Sequence, residues 1–115
     1  MKKYGIIAAM QEEMREIKKI MQEIKEQKIY ELNFITGKIN NKEIILVEAG
    51  VGKVNAARTT QILIDNFELE AIINVGSAGA VNNELSIGDI VIGKNNCIWT
   101  SKRIYKKCRR ICGKW

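Results

Sequence analysis

The chain has 115 residues, 46% hydrophobic and 28% charged, with no proline and no histidine, which suits one folded domain and excludes a disordered or collagen-like chain. No apolar run is long enough for a membrane-spanning helix, and the opening Met1-Lys2-Lys3-Tyr4-Gly5 reaches Glu12 and Glu13 before any signal-peptide core could form. The net charge of +6 is unevenly placed: residues 1–93 carry 11 basic and 13 acidic side chains, net −2, whereas residues 94–115 carry eight basic side chains and no acid.

Taken in chain order, Tyr4–Ala9 is a short apolar run that predicts a buried strand. Met10, Met14, Ile17, Met21 and Ile24 follow at alternating steps of four and three, which predicts a helix over Gln11–Gln27. Ile29–Leu32, Phe34–Ile39 and Glu43–Ala49 are rich in strand formers. Asn40-Asn41 between the last two predicts a hairpin, because Asn tolerates the positive φ of a tight turn. Gly50-Val51-Gly52 then breaks the strand. Lys53–Asn66 predicts a second helix, with Ala56, Ala57, Thr60, Leu63, Ile64 and Phe67 at helical spacing. Ala71–Val75 predicts another buried strand, ended by Gly76-Ser77-Ala78-Gly79, and Ile87–Ile92 predicts one more. Strand, helix, hairpin, helix and strand in this order are an α/β pattern, with helices packed on a sheet.

Three places in this pattern offer chemistry. Glu12 and Glu13 open the first helix directly after the first strand. At about 100° per residue Glu13 falls beside the apolar stripe and Glu12 nearly opposite, so Glu13 is the carboxylate directed at the sheet. A helix N-terminus favours its ionised form, and an oriented carboxylate can position a water or take its proton. Acids at this position also serve any helix by complementing its dipole. Gly50-Val51-Gly52-Lys53 is neither a P-loop, since Val47 and Val54 stand where Gly and Ser/Thr are needed, nor a dinucleotide fingerprint, since Asn55 takes the third glycine position. It leaves a tight turn that lets backbone approach a ligand. Gly76-Ser77-Ala78-Gly79 sits beyond the carboxyl end of a strand, where open α/β sheets bind ligands, and its small side chains leave room for a flat molecule.

In the last 22 residues Ile104, Cys108, Ile111 and Trp115 recur at helical spacing among Lys and Arg. That pattern fits a basic amphipathic helix for a nucleic-acid or membrane surface. Three cysteines without a histidine do not complete a tetrahedral zinc site.

Residues 5–14, 48–57, 74–79 and 85–91 together resemble the 5′-methylthioadenosine/S-adenosylhomocysteine nucleosidases of the nucleoside phosphorylase superfamily. Gly5-Ile6-Ile7-Ala8-Ala9-Met10-Gln11-Glu12-Glu13-Met14 is similar to the family's opening strand and catalytic loop. Glu48–Ala57, Asn74–Gly79 and Leu85–Val91 are similar to its later glycine motifs. The resemblance implies part of a three-layer α/β/α domain, homodimeric and acting without metal or organic cofactor; a cytoplasmic setting is the expectation from the lack of a signal-peptide core and of a membrane-spanning run. The implied activity is hydrolysis of the N-glycosidic bond of a small-molecule nucleoside, methylthioadenosine or adenosylhomocysteine, with release of adenine in methionine salvage. It also implies Glu13 as the acid that orients the attacking water, Val51 as a lining of the sugar and thioether region, and Ser77, Ala78 and Gly79 as the loop beside the base. The family's later Tyr-His-Asp segment, ribose-gripping Met-Glu pair and purine-protonating aspartate are not among these 115 residues. Residues 1–93 are therefore expected to be the nucleosidase-like portion, inactive alone. Residues 94–115 read as a tail of the kind a shifted reading frame produces, with no nucleic acid or membrane as partner unless that tail is genuine. A nucleoside phosphorylase is the neighbouring alternative, although a carboxylate in the early loop would repel phosphate.

Overall fold

The computed structural model describes residues 2–80 and 82–93. They belong to two compact units, one ending at Ser77 and the other beginning at Ala78. The first unit is built on a five-stranded mixed sheet. Its strands are β1 (Lys3–Ala8), β2 (Gln22–Ile29), β3 (Leu32–Ile39), β4 (Lys42–Glu48) and β5 (Ala71–Val75), in the spatial order β2-β3-β4-β1-β5. β1 runs parallel to both β4 and β5, and β2, β3 and β4 are antiparallel neighbours.

The alternation of side chains along β1 explains the layering. Ile6 and Ala8 face one side with Ile35, Ile44 and Leu46, and there meet Met14 and Met21. Ile7 faces the other side with Phe34, Ile45 and Val47, and there meets Leu63. Met14 belongs to α1 (Gln11–Ile20) and Leu63 to α2 (Lys53–Asn66), so one helix covers each face. β1 and β4 are buried on both faces, which is why they read as continuous apolar runs rather than alternating ones.

β1, α2 and β5 form where the sequence predicts them, and the Asn40-Asn41 hairpin is present, with both residues at positive φ (46° and 61°). Three expectations for this unit are corrected. The helix predicted over Gln11–Gln27 stops at Ile20. Met21 is already extended and buried, and the polar segment from Gln22 is strand β2, paired with β3. Gly37 makes this possible: a Cβ there would lie 2.8 Å from Met21 Cε, so the missing side chain lets Met21 drop into the core and end the helix. Gln22–Gln27 falls within the predicted helix but has a waiting partner strand, and pairing decides. Second, Ile29–Leu32 is not one strand. Tyr30 and Glu31 form a tight turn at φ 46° and 66°, braced by Arg58, which donates to the Tyr30 carbonyl at 2.7 Å. Third, α2 buries Thr59 and Leu63 but leaves Ala56, Ala57 and Ile64 exposed, so its inner face is turned from the one its spacing suggests.

The second unit contains no strand among its described residues. Over 87–92, where a strand is predicted, the chain instead turns: Asp89 N–H donates to the Ser86 carbonyl, Ser86 N–H donates to the Asp89 carboxylate, and Gly88 takes φ 96°. Ile87, Ile90 and Ile92 are exposed. β-branched residues favour a strand only where an edge is available to pair with, and none is paired to them here. The basic segment 94–115, with its cysteines, lies outside the described residues. Among the described residues no helix is long and apolar enough to cross a membrane.

Packing of α2 on the sheet depends on Gly5. A Cβ at that position would lie 2.6 Å from Leu63 Cδ2 and 3.1 Å from Leu69 Cδ1. Gly5→Ala should therefore force α2 outward and lower stability by about 1–3 kcal/mol, the usual cost of overpacking a core. Urea unfolding of the two proteins checks this, and an unchanged midpoint would show that the helix does not rest on this contact.

Candidate active site

β1, β4 and β5 are mutually parallel through β1, so their carboxyl ends, at Ala8, Glu48 and Val75, open on the same end of the sheet. The loops that follow hold all three sequence motifs: Ala9-Met10 leading to Glu13, Gly50-Val51-Gly52, and Gly76-Ser77. This is the end at which α/β sheets bind ligands.

Glu13 is the third residue of α1, whose N-cap is Met10. Its carboxylate turns back toward the strand it follows. Oε2 accepts from the backbone N–H of Ala9 at 3.0 Å and of Met10 at 3.3 Å. The bond to Met10 is the glutamate half of a capping box; methionine has no side-chain oxygen to complete the other half. Oε1 reaches across to the exit of β5, where it accepts from the Ser77 N–H at 3.0 Å and the Ser77 hydroxyl at 3.3 Å. Four donors thus meet one carboxylate, about as many as its lone pairs serve.

Gly76 permits that reach. A Cβ on Gly76 would stand 3.2 Å from Glu13 Oε1, so any larger residue would press on the carboxylate as it bonds to Ser77. The Ser77 N–H holds the Glu13 carboxyl below the ordinary carboxylate range. Partial desolvation pushes the other way, and the Met10 and Ala9 N–H groups and the Ser77 hydroxyl add to the lowering. Glu13 is thus an anion in this resting arrangement, well suited to orient a dipole.

The other singled-out residues fall as follows. Glu12 is exposed. Val51 lies in the loop between β4 and α2, 71% exposed, and its carbonyl accepts from Asn55 Nδ2 at 2.8 Å. It shares the sheet end with Glu13 but makes no hydrogen bond to it among the described residues. Ala78 and Gly79 are exposed and belong to the second unit, and the space around Gly79 is open. Sequence reasoning missed the part played by the Ala9 and Met10 N–H groups and by Gly76; the only signal was that all three are small or backbone features flanking a strand exit. An open groove of about 320 Å³ beside α1, lined by Gln11, Met14, Arg15, Lys18, Asn33, Ile35 and Glu48, includes neither Glu13 nor Ser77.

Comparison with known proteins agrees on one family. The model of the phosphorylase superfamily matches residues 3–104. The 5′-methylthioadenosine/S-adenosylhomocysteine nucleosidase of Staphylococcus epidermidis is 45% identical over 91 residues, covering 79% of this chain and 40% of that protein. Among solved structures, S-adenosylhomocysteine nucleosidase from Streptococcus pyogenes in complex with 5-methylthiotubericidin superposes with a TM-score of 0.73 at 45% identity, covering 76% of this chain and 37% of the other. The methylthioadenosine/adenosylhomocysteine nucleosidase from Colwellia psychrerythraea in complex with adenine gives 0.74 at 36% identity, covering 76% and 36%. The chain spans about two fifths of the length of the curated relatives it matches.

Because the folded state lowers the Glu13 pKa, its carboxylate stabilises the fold above the unfolded-state pKa, and that contribution fades as pH falls through the lower, folded value. Glu13→Gln should accordingly be less stable than the natural protein near neutral pH, with the gap closing on acidification. Ser77→Ala, which removes only the hydroxyl contact, should cost less than Glu13→Gln. Urea unfolding across pH measures both, and a gap that is flat or widens toward acid would contradict the bonding described.

Proposed function

Because the chain belongs to the phosphorylase superfamily, we propose that its body is the water-activating portion of an N-glycosidase acting on 5′-methylthioadenosine and S-adenosylhomocysteine. The observation that carries this reading is the Glu13 carboxylate, fixed between two strand exits by Ala9, Met10 and Ser77. Relatives similar over most of this chain bear that activity in their names, and their solved complexes contain adenine or nucleoside analogues.

In the proposed reaction Glu13 orients a water at the anomeric carbon of the sugar. The water oxygen forms the new bond to that carbon as the carbon–nitrogen bond to the purine breaks. The bonding electrons leave with the adenine, and the water's proton passes to Glu13. The transition state resembles an oxocarbenium ion, as in glycoside hydrolysis generally, and a nearby anion favours it. To receive the water one of the present donors must give way. The Ser77 hydroxyl is the one that can, since it sits at 3.3 Å and turns about a single bond, whereas the backbone N–H groups are fixed. Ser77 would then bond to the incoming water or to the sugar. Val51 would line the sugar and thioether region, with Ala78 and Gly79 beside the base. Departure of the purine is helped by protonation, and no side chain of residues 1–93 is assigned that task. A homodimer, a cytoplasmic setting and a place in methionine salvage belong to the same proposal. A phosphorylase would need an anion site where Glu13 now stands, and the carboxylate would repel phosphate.

A chimera joining residues 1–93 of this chain to the remainder of the S. epidermidis nucleosidase tests the reading. Adenine release from methylthioadenosine is expected without added phosphate, and Glu13→Gln in the chimera should lower kcat by roughly 10²–10⁴. Release that requires phosphate, or a Glu13→Gln chimera as fast as its parent, would refute it. The 115-residue chain by itself should release no adenine above the uncatalysed rate.

A further inference from the structure

The loop Gly50-Val51-Gly52 joins β4 to α2 at the carboxyl end of the sheet, and a side chain of α2 holds its backbone. Gly50 and Gly52 both take positive φ, 81° and 106°. Two glycines around a single residue leave a segment with much conformational freedom to lose, so a fixed shape needs a brace from outside the loop. Asn55 supplies it. Its Nδ2 donates to the Val51 carbonyl at 2.8 Å. The same amide lies against Gly50: a Cβ there would stand 3.2 Å from Nδ2 and 3.6 Å from Cγ, so Gly50 leaves space for the brace as well as taking its φ.

The start of α2 explains why a side chain has this task. Gly52 is the N-cap, and the Ala56 N–H donates to its carbonyl at 3.0 Å. At Gly52 the chain turns out of helical geometry, so the Val51 carbonyl falls outside the helical ladder. The Asn55 amide reaches that carbonyl, four residues before it, in place of a backbone N–H. Thr60 and Asn66 also donate to carbonyls four residues back, those of Ala56 and Ile62, but both acceptors lie within α2. Of these three side chains, Asn55 is the one that ties the helix to the loop.

We propose that Asn55 is a positioning residue for substrate: by tying the Val51 carbonyl to α2, it holds Val51 as a fixed wall for the thioether end of the nucleoside. This rests on the reading of Val51 as a lining of the sugar and thioether region. A wall ordered in advance spares the binding step the cost of ordering it. Glu13 is bonded by Ala9, Met10 and Ser77 and not through this loop. The brace therefore governs the grip on the thioether and leaves water activation alone.

Two variants separate this role from a structural one. At neutral pH Asn55→Asp keeps the shape and sets an acid in the first turn of a helix, which is favourable, yet its carboxylate has no proton to donate to a carbonyl. Asn55→Ala puts the best helix former in the same place. Both should fold as the natural chain does. The Val51 carbonyl and the Gly52 N–H share one peptide plane, so the Gly52 amide reports the brace. In the 115-residue chain its NMR order parameter should lie near the rigid value of about 0.85 and fall below about 0.6 in either variant, with that of Ala56 unchanged. In the chimera with the S. epidermidis nucleosidase, either variant should raise KM for methylthioadenosine about tenfold at unchanged kcat. KM should stay the same for 5′-deoxyadenosine, which has hydrogen in place of the methylthio group. A Gly52 amide equally ordered in all three proteins, or a KM that moves equally for both nucleosides or for neither, would overturn the proposal while leaving the functional reading intact. A parent chimera that releases no adenine would overturn the functional reading, and this proposal with it.

Discussion

One carboxylate ties together the parts of this molecule that sequence separates most widely. Glu13 accepts from backbone N–H groups at the end of β1 and from Ser77, 64 residues later, at the end of β5. That span is possible only because β1 and β5 are adjacent and parallel, so that their exits fall side by side. It also requires Glu13 to stand at the third position of α1, where the side chain turns back over the strand end, and Gly76 to leave space beside it. Each of these is a backbone condition, and Glu13 registers all of them at once.

The sheet that meets these conditions is held by burial on both faces. α1 seats Met14 on one side and α2 seats Leu63 on the other, each against β1 and β4. Buried apolar area of this kind is the dominant favourable term in folding, and the surface ion pairs around it, such as Lys2 with Glu70 and Lys18 with Glu26, contribute little by comparison. The site is therefore positioned by the core rather than by its own bonds. The Glu13 contacts then choose among the few arrangements the core leaves open.

Much of this was legible in the sequence because local and tertiary preferences agree there. β1, α2 and β5 combine the right periodicity with a glycine or polar break at each end, and Asn40-Asn41 has the chemistry its turn needs. Reading failed where two preferences compete. Gln22–Gln27 continues the predicted helix and became part of a strand, since β3 offered an edge and Gly37 a seat for Met21. Ile87–Ile92 has strand composition and found no edge among the described residues. The turn at Tyr30-Glu31 gives no residue signal, as neither side chain favours positive φ; it is imposed by the strands on either side and by Arg58. Glu13 was recognisable as the acid facing the sheet from its angle on the helix. Its bond to Ser77 was not, because that depends on strand order, which no local pattern encodes.

The central claim is that Glu13 is an anion locked by donors from two strand exits. A pH titration of the Glu13 side-chain carboxyl carbon by NMR tests it most directly. The account predicts a midpoint below the ordinary glutamate range, raised only in part by Ser77→Ala, because the Ser77 N–H that contributes most remains in place. A midpoint at the ordinary glutamate value, unmoved by that substitution, would contradict it.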